Sequence, residues 1–526
     1  MGDLSNDVLD LQVETDVLRG DRLVRWACQA DGYKKRFVYK QLSDFLMDER
    51  SNKIAVLCGL RRTGKTTMIA QAIQELTAIA DANKTALVTL TRGNNMKELL
   101  SDVRKLEQDG VKYLFIDGVT ELSDFDKSVA ALPDIYACLG MKIVLSGTQS
   151  LLFKLVKRRE LYDRTVTIYT TFISFAEYKH IHEDATISDF MRRGGVALAP
   201  DASPFCTRYW ANDYSYTAIA ENIQQSLLRY RDGVEFHGLY DVYTSDELLD
   251  LIYRVLYHGV RTTTMKSIGK KFEYVGGNVD NIWFQLHDTV SNVISHESKR
   301  EDTRVKDFPD LKAPVTERQV SELRNYLLWV NSIYPLTKFK DGPRGNSSKE
   351  LILTQPGLRY MIAMDVIPKL MQDTWVSAPT VAERHAIFYR MEACVQSMLL
   401  EEHVLIELSV YARNKWGEAS EYHPWVSQAT FVTGGEIDAI IVAPFTRNVI
   451  CVEVKNTDKC EPVRDDGRGQ CRWLNDTEIV KEIQGLYGDI IRKIVVYLGP
   501  TKKNVYEGVD YVNVEEFLLN LGDIIK

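Results

Sequence analysis

Two sets of residues in this chain have the types and spacing to handle phosphate. The first is Gly59-Leu60-Arg61-Arg62-Thr63-Gly64-Lys65-Thr66, which matches G-x-x-x-x-G-K-[ST] at every fixed position. Glycines let the backbone fold its N–H groups around phosphate oxygens, and Lys65 neutralises the β- and γ-phosphates. Thr66 offers a hydroxyl to Mg²⁺, and the helix expected from Thr67 directs its positive end at the anion. The apolar run Ile54–Leu57 before the loop and the helical pattern Thr67–Leu76 after it supply the strand–loop–helix setting of a P-loop. ATP with Mg²⁺ is the expected ligand. Asp117 ends the run Tyr113-Leu114-Phe115-Ile116, where a carboxylate at a strand's C-terminal edge can act on the same Mg²⁺. Gly118 follows where many such ATPases have a glutamate that polarises water; Glu121 is the nearest acid beyond it. Ser146-Gly147-Thr148-Gln149-Ser150 reads either as a γ-phosphate sensor or as a small polar loop. Lys157, Arg158, Arg159 and Arg164 read either as a solvated face or as the source of an arginine finger acting on a neighbouring subunit.

The second set lies near the C-terminus. Glu436-Ile437-Asp438 opens an alternating strand, and Val452-Glu453-Val454-Lys455 closes the next one. Residues i and i+2 of a strand share a face, so Glu453 and Lys455 point the same way and Asp438 can join them across the ladder. Two carboxylates suit Mg²⁺, a hard cation that keeps several of its waters. Lys455 would orient a nucleophile or neutralise charge.

The elements that must position these residues follow from hydrophobic pattern. Apolar runs at Ile54–Leu57, Ala86–Leu90, Tyr113–Ile116, Ile143–Leu145 and Val166–Tyr169 alternate with helical segments, the form of a parallel α/β sheet. Long helical segments such as Tyr216–Arg229 and Leu248–Tyr257 then take over. Thr316 and Gln319 form a capping box opening a helix over Glu317–Trp329. The β-like runs Ser332–Phe339 and Glu350–Thr354 follow it, a helix-then-hairpin outline of a winged helix. Arg318, Arg324, Lys338, Lys340, Arg344 and Lys349 could meet phosphates there, or the unit could dock protein. A helix over Ala382–Leu400 precedes the strand-rich end.

A chain of 526 residues calls for several cores. Its net charge of −8 argues against a coat for non-specific nucleic-acid binding, while allowing a local basic face. No uncharged apolar stretch reaches membrane-spanning length. The eight cysteines form no C-x-x-C pair, which fits reduced thiols in a cytoplasmic protein.

The strings GLRRTGKTT, FIDGVTEL, LSGTQSLLF, YTTFISFAEY and MRRGGVA, in this order, resemble bacterial and archaeal AAA-type P-loop ATPases. These usually carry a winged-helix unit and a C-terminal nuclease-like domain; the Leu353–Leu358 segment is similar to the family's wing-closing stretch. Asp438 with Glu453-x-Lys455 resembles the PD-(D/E)XK signature of restriction-endonuclease-like phosphodiesterases. That resemblance implies a further metal carboxylate at Glu392, and a Gln484/Tyr487 pair on the helix after the motif.

The expected architecture is thus α/β throughout: an N-terminal helical segment at 1–50, a P-loop AAA-type ATPase domain at 51–204 and a helical lid at 205–312, then a winged helix at 313–375 and a restriction-endonuclease-like α/β domain at 376–526. Gly59, Arg61, Arg62, Thr63, Gly64, Lys65, Thr66 and Thr67 are expected to hold nucleotide. Thr66, Asp117, Asp438, Glu453 and Glu392 are expected to hold metal. Asp117, Asp438, Glu453, Lys455 and Glu392 are expected to do the chemistry. Two readings of function stand. One is an ATPase coupled to a Mg²⁺-dependent nuclease, with DNA the favoured nucleic acid and a homo-oligomer possible. The other is a nucleotide-dependent switch or scaffold whose nuclease-like domain binds nucleic acid or a partner without cutting.

Overall fold

The computed structural model describes residues 13–79, 82–148, 150–229, 242–252, 316–329, 331–371, 380–419, 424–463 and 469–525. The chain forms two compact units, one from 1–171 and 217–249, the other from 172–216 and 250–526. Much of the expected 205–312 lid, including the second half of Leu248–Tyr257, lies outside the described residues.

The first unit is built on a six-stranded sheet. Its strands are β1 (Asp16–Leu18), β2 (Ile54–Cys58), β3 (Thr85–Thr89), β4 (Tyr113–Asp117), β5 (Lys142–Ser146) and β6 (Thr165–Tyr169), in the order β1-β3-β4-β5-β2-β6. All pairs are parallel except β1 with β3. Every residue of β2 and β5 is buried, as central strands covered on both faces require. The N-terminal segment is not a separate body. β1 extends the sheet, and helices α1 (Gly20–Ala27) and α2 (Tyr39–Met47) place Leu23, Leu42 and Phe45 in the core shared by helix α3 (Lys65–Ile79). Met68, Ile69, Ala72, Ile73 and Leu76 give α3 its apolar stripe at helical spacing.

The second unit holds an eight-stranded mixed sheet of β7 (Ile333–Phe339), β8 (Ser347–Leu353), β9 (Val426–Thr430), β10 (Glu436–Val442), β11 (Val449–Lys455), β12 (Ile490–Tyr497), β13 (Lys502–Tyr506) and β14 (Val509–Asn513). Their order is β13-β14-β12-β11-β10-β9-β7-β8. Helix α4 (Glu317–Trp329) matches the capping-box expectation, with Thr316 and Gln319 bonded reciprocally. The hairpin β7–β8 is not the wing of a free-standing unit at 313–375. β7 pairs in parallel with β9, placing Lys338 beside Gln428, so the hairpin forms the edge of the same sheet that carries Asp438 and Glu453. The boundary expected at 204 also moves, because Phe172–Tyr216 folds with this second unit.

Helix α5 (Val381–Trp416) is far longer than the expected Ala382–Leu400, and helix α6 (Thr477–Tyr487) follows the strand pair β10–β11. The Ser174-Phe175-x-Glu177-Tyr178 string caps and docks a short helix: Ser174 accepts the Glu177 N–H, and the Phe175 N–H donates to Glu407 of α5. All eight cysteines are free thiols. Among the described residues no helix is long and apolar enough to cross a membrane.

Candidate functional site

In the first unit, β2 feeds the loop Gly59–Gly64 and α3 begins at Lys65. A Cβ on Gly59 would sit 2.1 Å from the Thr170 hydroxyl, so only glycine lets the loop approach β6 this closely. Thr63 is buried, its hydroxyl 2.8 Å from that of Thr170 and 2.8 Å from the Leu60 carbonyl. Arg36 donates to the carbonyls of Thr63 at 2.6 Å and Thr170 at 3.0 Å, which pins the loop from the N-terminal side. Arg62 and Gly64 take left-handed backbone angles, and Arg61 and Arg62 extend their side chains to the surface. Thr67 is half-buried in the first turn of α3.

Lys65 folds back on the loop. Its ammonium donates to the carbonyls of Gly59 at 2.8 Å and Leu60 at 2.7 Å. Burial lowers its pKa to about 8, partly opposed by Asp117. The Thr66 hydroxyl donates to Asp117 at 3.0 Å, joining the two residues expected to share Mg²⁺.

The departure at Gly118 has a steric cause. Its φ is +81°, and a Cβ there would lie 2.6 Å from the Leu90 carbonyl oxygen, so no glutamate fits this backbone. Glu121 is held by Arg92 at 3.1 Å. At the tip of β5, between the strands bearing Asp117 and the P-loop, the Ser146 hydroxyl is buried with no hydrogen-bond partner among the described residues. In the basic run, Arg164 pairs with Asp134 at 2.9 Å and Lys157 donates to Thr167 at 3.0 Å. The side chains of Arg158 and Arg159 lie outside the described residues.

In the second unit, β10 and β11 pair antiparallel with Ala439 opposite Val452, which brings Asp438 level with Glu453. The pairing of β10 with β9 shifts between Ile437 and Ile440, a bulge that brackets Asp438 and sets its direction. Asp438 and Glu453 are 5% and 6% exposed. Asp438 accepts the Val454 N–H at 2.7 Å, and Glu453 pairs with Lys455.

These three residues line a cleft of about 300 Å³ together with Glu401, Glu402, Glu436, Lys338, Glu350 and Trp473. Carboxylate oxygens of Glu401, Glu436 and Asp438 all lie within 4.8 Å of one another. Gln428 on β9 bridges two of these acids, donating to Glu401 at 2.6 Å and Glu436 at 3.0 Å. Burial, then the charge of Glu453 and of Glu401, raises the Asp438 pKa well above the ordinary range; burial also raises Glu453, against the pull of Lys455. Lys455 is raised in turn, because Glu453 and Asp438 outweigh its desolvation.

Glu392 is not in this cleft. It accepts from the Tyr360 hydroxyl at 2.9 Å and faces Arg192 at 3.4 Å. Glu392 and Glu401 lie nine residues apart on α5, which at about 100° per residue sets them on opposite sides of the helix, roughly 13 Å apart along it. The α5 carboxylate that meets Asp438 in the cleft is Glu401. Its signal in the sequence is an acidic pair, Glu401-Glu402, which with His403 interrupts an otherwise apolar stretch from Met398 to Ile406. Gln484 and Tyr487 both lie on α6, with Tyr487 buried, and neither lines the cleft.

Divalent metal fits this donor set. The oxygens are hard, their spacing suits a single small cation, and the second oxygen of Glu453 is buried with no hydrogen-bond partner among the described residues.

Residues 51–179 match the family model described as an AAA domain. No curated protein matches the chain. Among solved structures the chain is similar to the S. cerevisiae Hsp104–ADP complex, with 13% identity, a TM-score of 0.28, and coverage of 75% of this chain and 62% of that one. It is similar to the S. cerevisiae Hsp104:casein complex in its extended conformation at 12% identity and TM-score 0.27, covering 62% and 55%. The Aeropyrum pernix ORC2 protein in its ADPNP–ADP complexes matches at 11% identity and TM-score 0.20, covering 68% and 96%. The chain thus spans under two thirds of the length of either Hsp104 chain. The family match and the strand–loop–helix geometry together define residues 51–179 as an AAA-type P-loop domain.

Proposed function

We propose that this protein is an AAA-type ATPase whose second unit is a Mg²⁺-dependent phosphodiesterase acting on nucleic acid. The observation that carries the second half is the cleft: Asp438, Glu453 and Lys455 on neighbouring strands, with Glu401 and Glu436 closing a carboxylate cluster. Asp438, Glu401, Glu436 and the second oxygen of Glu453 would hold the metal. Bound there, Mg²⁺ would supply Lewis acidity toward a water and positive charge toward a phosphate. Lys455, kept protonated by its acidic neighbours, orients that water and screens the phosphate from the carboxylates.

For the nucleotide, loop amides and Lys65 receive the phosphates, which requires Lys65 to exchange two backbone carbonyls for anionic oxygens. Thr66 and Asp117, joined by a hydrogen bond, would hold its Mg²⁺. The P-loop is tied to the residue at which the chain first leaves its unit. The Leu60 N–H donates to the Thr171 hydroxyl at 3.3 Å, and Phe172 begins the second unit. Loop rearrangement on binding nucleotide therefore acts on the residue at which the chain passes onward.

Gly118 supports a second reading, a switch that holds nucleotide more than it turns it over, because the usual water-polarising glutamate cannot be built there. The two halves are tested separately. Lys65→Ala is expected to abolish the calorimetric heat of ATP–Mg²⁺ binding; retained binding refutes the P-loop assignment. Metal-dependent cleavage of DNA or RNA is expected in the wild type and lost in Asp438→Ala and Lys455→Ala. Equal behaviour of all three leaves the switch reading in place of the phosphodiesterase.

A further inference from the structure

Lys338, one of the basic residues of the expected wing, lines the carboxylate cleft instead. Its partner in the parallel pairing of β7 with β9 is Gln428, the residue whose amide bridges Glu401 and Glu436. Paired residues on neighbouring strands share a sheet face, so Lys338 projects on the side that bears the acids. It forms an ion pair with Glu350 of β8. Burial opposes its charge, but Glu350, Glu401 and Glu402 together more than offset that and keep it an ammonium.

The strand order β11-β10-β9-β7 sets Lys338 three strands from Lys455, roughly 14 Å at ordinary strand spacing. Lysines on strands that far apart enter the cleft from opposite sides rather than side by side. They bracket the acids, with Lys455 at the reacting position and Lys338 beyond it.

Resting on the phosphodiesterase reading, we propose that Lys338 is a substrate-binding residue that takes a phosphate flanking the scissile one. Glu350 occupies Lys338 until that phosphate displaces it. The hairpin β7–β8 thus serves the cleft of its own sheet, and its basic residue reads the backbone of the strand being cut. The ligand class is a phosphodiester backbone; DNA and RNA share it.

The test is fluorescence anisotropy with labelled DNA and RNA 20-mers of one sequence, in Ca²⁺, across a series of KCl concentrations. Removing one lysine–phosphate interaction lowers the salt slope of log K by roughly 0.7–0.9. Lys338→Met is expected to weaken binding about tenfold and to lower the slope by about that much, while Lys338→Arg stays near wild type. Glu350→Gln, which frees the lysine, is expected to tighten binding. A merely structural role for the Lys338–Glu350 pair would weaken both variants together and leave the slope unchanged. A wild-type slope in Lys338→Met overturns the proposal. A drop with only one of the two probes identifies the nucleic acid and supports it. Failure of the underlying reading looks different: Asp438→Asn protein would cut like wild type in Mg²⁺.

Discussion

Replacing Asp438 by asparagine is expected to stabilise the metal-free protein while removing its response to Mg²⁺. Three carboxylates hold oxygens within 4.8 Å of one another. At an effective dielectric near 20, a pair of unit charges at that distance repels by roughly 3.5 kcal/mol, and Asp438 takes part in two such pairs. Proton uptake and the Lys455 ammonium relieve most of this, leaving a net gain of about 1–3 kcal/mol for Asp438→Asn near neutral pH. The amide oxygen can still accept the Val454 N–H, so the backbone contact is kept.

The pH dependence has a definite sign. The folded-state pKa of Asp438 is raised, chiefly by burial and by Glu453. Wild-type stability therefore falls as pH climbs from the unfolded carboxylate value, about 3.9, through that raised value. The asparagine variant does not titrate there, so its advantage is largest above the raised value and closes toward pH 4. Calorimetry of the intact protein without nucleotide, in EDTA and then in Mg²⁺, reads both effects. Saturating metal at about a hundred times its Kd adds about 2.7 kcal/mol to the wild type alone. If the variant melts below wild type in EDTA at pH 8, or if Mg²⁺ shifts both proteins equally, the electrostatic account of the cleft is wrong.

Two further outcomes follow from the geometry. Glu401→Gln is expected to weaken Mn²⁺ binding by about tenfold or more, since affinity tracks the charge of the ligand set, whereas Glu392→Gln leaves it unchanged; titration calorimetry showing the reverse would restore Glu392. Lys65, with its pKa lowered to about 8 by burial, loses its charge as pH rises past that value, so ATP affinity should fall between pH 7 and 9 with proton uptake on binding. Titrations in buffers of different ionisation enthalpy measure that proton, and none taken up at pH 8.5 would mean Lys65 is not the phosphate ligand.

What could be read from sequence was what local pattern encodes. The P-loop string, the buried strand before it and Asp117 at the end of β4 are each fixed by neighbours a few residues away. The same is true of Glu453 and Lys455, whose shared face follows from strand alternation alone. The hairpin was legible as a hairpin, but not as an edge of the C-terminal sheet. Its second neighbour, β9, is distant in the chain, and nothing in Ile333–Phe339 says whether its outer edge stays open or is paired. Gly118 was visible as a departure, while its reason, the Leu90 carbonyl, is a tertiary contact.

The α5 acid in the cleft also leaves a physical trace in the sequence. Setting Glu401 and Glu402 among Leu399, Leu400, Val404 and Leu405, all buried, carries a desolvation cost that an end of the helix at Leu400 does not account for. A pair of acids in such a run demands partners, and the fold treats the two differently. Glu402 receives a bidentate guanidinium, Arg359, at 3.0 and 2.8 Å, and both side chains are buried. Glu401 receives a neutral amide from Gln428 and faces two further acids. Glu401 has no direct ion pair among the described residues: the Lys338 and Lys455 ammoniums, whose charge it supports, are paired with Glu350 and Glu453. The cation proposed for the cleft is therefore a small divalent one, whose charge and size match three oxygens at this spacing.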